Sequence, residues 1–236
     1  VSAEGLPILH RGERSLVVRK PAGRSSEGHP DAALEEIARR EGWPDARLPH
    51  RLDRMACGAL LIARDAASCA GHAAAIREGR WVKGYLVRVA APADPGGIVG
   101  PHRRYLRRVG RLARVVRSGG DPARLEIRAV APAPERPGEL HLAVRLLTGR
   151  YHQIRAMCAD LGAPLVGDEL YGGPHGSPWL EHAAFAYPDR RAEGEVWVRL
   201  FDPHDPRREP VAPSIVAALT EIASETPSPA RSSAST

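Results

Sequence analysis

The sequence predicts an α+β domain built around a mixed, largely antiparallel sheet with flanking helices. Apolar and polar residues alternate through Leu125–Val130 and Leu140–Leu146, as in half-buried antiparallel strands. Helix patterns fall between strand patterns without a regular βαβ rhythm, and no GxGxxG or Walker loop opens a doubly wound nucleotide fold. With 236 residues, 43% apolar and 26% charged, the chain suits one compact domain or at most two small ones. We expect a single domain over 1–223. Residues 224–236 begin Ser224-Glu225-Thr226-Pro227, are short of apolar mass, and are expected to be a disordered tail.

In chain order, Leu16-Val17-Val18 is a short β-branched run closed by the turn residues Lys20-Pro21-Ala22-Gly23. A helix follows, with Asp31 as its cap. Ala33, Leu34, Ile37 and Ala38 form its apolar stripe through Arg40, and Gly42 and Pro44 stop it. Gly58–Ala63 reads as a buried strand, and Asp65 opens a second helix through Arg77 that ends near Gly79. Trp81–Val89 has strand composition. From Pro95 to Gly120 there is no acid, and seven arginines stand among Tyr105, Leu106, Val109, Leu112, Val115 and Val116. Positions 103, 107, 111 and 114 share a helical face, whereas Gly110 and the β-branched pair fit an arginine-fringed hairpin, which we favour. The two alternating segments beyond it form a second hairpin. Tyr151–Leu161 reads as a helix ended by Gly162-Ala163-Pro164, Val196–Phe201 as a late strand, and Ile215–Ile222 as a last helix.

Lys+Arg number 34 against 28 Asp+Glu, and every basic residue except Lys20 and Lys83 is arginine. Arginine's planar fork binds phosphate and stacks on bases, so the balance leans toward a nucleic-acid partner. A composition bias of the genome accounts for the totals equally well, and the placement of the charges has to decide. Three cysteines form no CxxC pair and no even disulfide set, and the ten histidines include no HExxH, so no metal is expected. There is no apolar run of about 18 residues and no basic leader in Val1–Gly5, which leads us to expect a cytoplasmic protein without a membrane span.

Two strings carry chemistry. His50-Arg51-Leu52-Asp53-Arg54 sets a carboxylate between arginines just before a buried strand. Nearby cations favour an ionised acid, which serves as a nucleophile or base, or simply as one half of a surface ion pair. Thr148-Gly149-Arg150-Tyr151-His152-Gln153-Ile154-Arg155 leads from a glycine turn into a helix, where Arg155 faces an acid in a cleft or points to solvent.

Together with Lys20-Pro21-Ala22-Gly23, Lys83-Gly84-Tyr85 and the stretch from Leu161-Gly162-Ala163-Pro164 through Gly167-Asp168 to Tyr171-Gly172, these strings resemble, in order, the motifs of the RluA-like pseudouridine synthases. The resemblance implies that family's fold, with a central catalytic cleft. It implies an isomerase that converts uridine to pseudouridine in ribosomal or transfer RNA without metal, nucleotide or organic cofactor. Asp53 is then the nucleophile, attacking C1′ of the ribose or C6 of the base. Arg155 pairs with Asp53, and Tyr85 lies against the uracil ring, the three converging in one pocket for an extruded pyrimidine. Arg51 matches the arginine that enters the RNA helix where the target nucleotide leaves. RNA contacts are further expected from Arg54, Lys83 and Arg150 and from the arginine-rich stretch at Arg103, Arg104 and Arg107. His152 and Gln153 are expected to brace the cleft wall.

The sequence departs from the family where Ala56-Cys57-Gly58 replaces the usual Thr-Ser-Gly, losing hydroxyls worth about 0.5–1.5 kcal/mol each if they are bonded. That departure motivates a competing reading, an RNA-binding or chaperone-like protein that keeps the fold without turnover. No S4-like RNA-binding domain is expected before Lys20, and we expect a monomer.

Overall fold

Every strand pattern read from the sequence is a strand of the structure, a computed structural model whose described residues are 5–227. The strands are β1 (Ile8–Arg11), β2 (Ser15–Lys20), β3 (Cys57–Ala63), β4 (Val82–Ala90), β5 (Gly100–Val109), β6 (Leu112–Val116), β7 (Asp121–Pro132), β8 (Glu139–Leu146), β9 (Leu180–Arg191) and β10 (Gly194–Leu200). The helices are α1 (Ala33–Glu41), α2 (Ala66–Arg77), α3 (Gln153–Asp160) and α4 (Pro213–Ser224). The chain divides into two compact units. Residues 5–82, Phe185–Leu200 and 224–227 form the first, and Lys83–Ala184 with Phe201–Ala223 form the second.

In the first unit β1 pairs with β2, β2 with β3 and β9 with β10, all antiparallel. Alternate residues of these strands, Val17, Leu61, Phe185, Tyr187 and Val198, enclose Trp81 together with Ala75 of α2. Full burial of each large side chain contributes about 1.5–3 kcal/mol. Helix α2 starts as expected, with a reciprocal capping box between Asp65 and Ser68. Helix α1 does not start on Asp31. Ala32 occupies the cap position without a side-chain bond, and the first helical N–H groups, of Ala33 and Leu34, donate to the carbonyls of Ser25 and Ser26 at 3.1 and 3.0 Å. The preceding loop thus supplies the acceptors a capping side chain would have supplied.

In the second unit the antiparallel pairs are β4 with β8, β8 with β7, β7 with β5 and β5 with β6. The arginine-rich stretch is the expected hairpin, turning at Gly110-Arg111. Gly110 has φ +59°, the left-handed region that two-residue hairpin turns demand at their first position. Gly84 of β4 is glycine for space. A Cβ there would stand 2.8 Å from the Ala184 methyl and 2.9 Å from Cγ2 of Ile222, so α4 lies directly on the strand.

Three further expectations change. Helix α3 begins at Gln153, because His152 turns into the left-handed region with φ +51°. Tyr151 therefore precedes the helix and is not the i,i+4 neighbour of Arg155 that a helix from 151 would make it. Strands β1 and β9 were not expected at all. Of the tail, Ser224 ends α4 and the backbone of Glu225 and the hydroxyl of Thr226 accept from Arg199 at 2.8 and 2.6 Å. The rest of the expected tail, 228–236, lies outside the described residues.

Candidate active site

Asp53 stands half-buried on the loop between α1 and β3, in the first unit, and that loop is held by groups on both sides of it. Lys20, at the end of β2, is fully buried, and its ammonium donates to the carbonyls of Pro21, Arg24 and Ala56 at 2.9, 2.8 and 2.5 Å and more weakly to Arg54 at 3.4 Å. Burial pushes the Lys20 pKa down to about 8, while the charges of Cys57 and Asp53 act against that shift. Ser26 Oγ receives the Leu52 N–H at 3.1 Å and donates to the Leu52 carbonyl at 2.9 Å. Gly23 and Arg54 add a reciprocal pair, Gly23 N–H to the Arg54 carbonyl and Arg54 Nε to the Gly23 carbonyl, both at 2.7 Å. His50 accepts the Leu61 N–H through Nε2 at 3.0 Å and meets Trp81 edge to face at 5.0 Å, fixing the loop to β3. The Lys-Pro-Ala-Gly string is therefore the clamp of the acid's loop. It does this without the hydroxyls that Ala56 and Cys57 lack.

In the second unit, Tyr85 is a buried strand residue whose ring stacks on His182 of β9, centroids 4.8 Å apart at 17°. Arg155 of α3 is buried as well. Its Nε and Nη2 bind the two oxygens of Asp168 at 2.6 and 2.7 Å, and its Cζ lies 4.9 Å from the Tyr171 ring centre. Its Nη1 is 2.9 Å from His152 Nε2. A guanidinium only donates, so that nitrogen accepts, the imidazole proton sits on Nδ1, and Nδ1 donates to the Tyr171 hydroxyl at 3.0 Å. Tyr171 accepts the Ala113 N–H at 2.7 Å, which ties this cluster to β6. Gln153 braces the preceding turn: its carbonyl oxygen accepts from Thr148 Oγ1 at 2.8 Å and Arg150 N at 3.0 Å, and its Nε2 donates to the Arg124 carbonyl at 3.0 Å.

The basic residues fall into different surroundings. Arg51 has a side chain 70% exposed and pairs with Glu27 at 3.1 Å. Arg54 and Arg150 are exposed, each donating one backbone-directed bond, to Gly23 and to Pro122. Arg103 and Arg107 share one face of β5. Arg104 lies on the other, bound to Asp160 of α3 at 2.6 Å. Lys83 is buried in β4, 8% exposed, not on an open surface.

Residues 14–160 match the family model for RNA pseudouridylate synthase. The dual-specificity RNA pseudouridine synthase RluA of Salmonella typhi is 31% identical over 182 residues, covering 72% of this chain and 78% of that protein. Ribosomal large subunit pseudouridine synthase D of Haemophilus ducreyi is 30% identical over 190 residues, covering 76% of this chain and 57% of that protein. The chain belongs to the RluA-like pseudouridine synthase family. Its fold is that of the human RNA pseudouridylate synthase domain containing 1, with a TM-score of 0.69 at 23% identity over 97% of this chain and 99% of that one.

An RluA-like pseudouridine synthase is an isomerase whose partner is RNA. Four residues of this member that bear on the site were not singled out from the sequence: Lys20 and Ser26, which clamp the Asp53 loop, Asp168, which binds Arg155, and His182, which stacks on Tyr85. Lys20 and Asp168 stand inside family strings, so their places were visible but not their partners. Ser26 and His182 stand in segments with no motif. Among the described residues no group of three His, Cys, Asp or Glu side chains is placed to hold a metal, and no helix is long and apolar enough to cross a membrane. Cys158 of α3 is buried, and burial pushes its thiol up to about 12.

Proposed function

We propose that this synthase isomerises specific uridines of ribosomal or transfer RNA, with Asp53 as the nucleophile toward a nucleotide flipped out of the helix. Arg51 takes the place of the departed base in the stack. Tyr85 lies against the uracil, Arg155 keeps the nucleophile charged, and the reaction needs no metal, so a chelator leaves its rate unchanged. Arg54, Lys83, Arg150 and the arginines of β5 contribute RNA contacts. The observation that carries the reading is the Asp53 loop. An acid flanked by a solvent-directed arginine is held from both sides by a buried ammonium and by Ser26, the rigidity a nucleophile needs. The relatives' names, one for a dual-specificity enzyme and one for the large ribosomal subunit, support ribosomal RNA among the targets.

The test is to incubate the protein and Asp53→Asn with ribosomal and transfer RNA from cells lacking the gene, then map pseudouridine chemically. We expect modification at discrete sites by the wild type and none by the variant. Full activity in Asp53→Asn overturns the assignment of the nucleophile. No modification by the wild type on any cellular RNA favours the competing reading of an RNA-binding protein without turnover, which the Ala56-Cys57 loop motivates.

A further inference from the structure

The two lysines of this chain are both buried, yet only one has an evident structural use. Lys20 has its ammonium among carbonyl oxygens. Lys83 makes no hydrogen bond and no ion pair among the described residues, although it is 8% exposed. The charged side chain acting on it is another cation, Arg145 of β8, whose Nη1 donates to the Leu146 carbonyl at 3.1 Å. Of the other charged groups on adjoining elements, Glu181 of β9 is bound by Arg208 at 2.8 and 2.9 Å, and Arg150 donates to the Pro122 carbonyl. Burial first, and Arg145 second, push the Lys83 pKa down to about 8.

A buried ammonium with no counter-charge costs several kcal/mol, and a second cation beside it raises that cost. An arrangement of this kind is relieved by an anion. The loop leaving β8 gives room for one. A Cβ built on Gly149 would stand 3.3 Å from Lys83 Nζ, so the missing side chain leaves the ammonium open on that side. We propose that Lys83 and the Gly149 backbone form an anion subsite that takes a phosphate oxygen of the RNA strand carrying the substrate uridine. This inference rests on the function proposed above and makes Lys83 a positioning residue, which orients the strand and touches no reacting bond. It differs from the exposed arginines in that its contact is made in a desolvated place, where one charge-assisted hydrogen bond is stronger.

With two lysines in the sequence, protein grown on lysine labelled with ¹³C at Cε gives two side-chain resonances, and Lys83→Arg assigns them. At pH 9, a short uridine-containing RNA should move the Lys83 resonance toward its protonated position and raise its titration midpoint by about one unit, leaving Lys20 in place. Movement with RNA but not with inorganic phosphate identifies a phosphodiester site, and movement with both identifies a general phosphate site. Either supports the subsite. A Lys83 resonance that stays still while fluorescence anisotropy shows the same RNA bound overturns it. If no RNA binds, the functional reading fails on its own, and inorganic phosphate alone decides the subsite: movement keeps it and none rejects it. In parallel, Lys83→Met should weaken RNA binding roughly tenfold and lower its salt slope by about one, with Lys83→Arg retaining both. Unchanged affinity in a folded Lys83→Met protein also overturns the proposal.

Discussion

Arg155 shows how firmly neighbouring groups can fix one side chain of the candidate site. Its guanidinium has an acid on two nitrogens, an imidazole on the third and an aromatic ring against its face, so it has one orientation available. The pair is deeply buried, with side-chain exposures of 9% for Arg155 and 2% for Asp168. Removing one partner of such a pair leaves the other charged and unsolvated, at a cost of about 3–5 kcal/mol. Asp168→Ala is therefore expected to lower the unfolding free energy by about that amount in urea titration and to abolish pseudouridine formation. A variant as stable as the wild type would show that the pair carries no such penalty. The sequence identified Arg155 as a residue that meets an acid, and the family likeness named Asp53 as that acid. Asp168, thirteen positions further on, was not foreseen as a partner, because the turn through 161–168 that returns the chain to the helix has no periodicity from which to count.

At the scale of elements, the hairpin of β5 and β6 sorts its arginines by strand alternation. Arg103, Tyr105 and Arg107 point to one face, and their cross-strand neighbours Arg124 and Arg114 point the same way. Arg103 lies over the Tyr105 ring at 5.6 Å. Arg104 and Leu106 point to the opposite face, where α3 packs and Asp160 holds Arg104. If the four-arginine face meets RNA backbone, Arg103→Glu and Arg107→Glu should each weaken RNA binding and reduce the slope of log affinity against log salt by about one. Arg104→Glu should act through the lost ion pair with Asp160. Anisotropy titrations between 50 and 300 mM salt separate these outcomes, and an unchanged slope in the Arg103 and Arg107 variants would exclude that face. The hairpin was legible because Gly110 and the β-branched pair outweighed the helical spacing of the arginines. Strand β9 was not legible. Its segment Leu180–Arg191 is buried almost throughout, yet it holds Glu181, His182, Pro188 and Asp189, so it shows no alternation, and its one apolar run, Ala183–Tyr187, is short and has no β-branched residue to mark it as a strand. Those polar groups are tolerated through partners remote in sequence, such as Arg208 on Glu181, and no local pattern encodes such partners.

For the whole molecule, the decisive quantity is the balance of protons bound by the folded and unfolded chains. His72 is buried against Trp81 and Tyr187, ring centres 5.8 and 5.7 Å away, and burial, with help from the charge of Arg190, pushes its pKa down to about 4. The folded-state value lies below the ordinary one near 6.5, so between these limits the unfolded chain binds the extra proton, and stability falls as pH drops through that window. A displacement of this size corresponds to about 3 kcal/mol, complete once the pH is below the folded value. His10 and His141 are also pushed down by burial and act in the same direction. Glu209 is pulled below its ordinary range by His141, Arg88 and Arg136 against the opposing effect of its burial, so its contribution is lost at still lower pH as it takes up a proton. Asp189 works the other way. Burial raises its pKa, so it binds a proton more readily when folded and offsets part of the loss in the carboxylate range. The net expectation is a protein whose unfolding free energy, measured in urea at pH 7, 6, 5 and 4, falls steeply below pH 6.5. His72→Phe keeps an aromatic ring between Trp81 and Tyr187 and removes the titration, so its profile should be flatter than the wild type's by about 3 kcal/mol over that interval. Parallel profiles for the two proteins would mean that the imidazole takes up its proton as readily in the folded chain as in the unfolded one, and would overturn this account of His72.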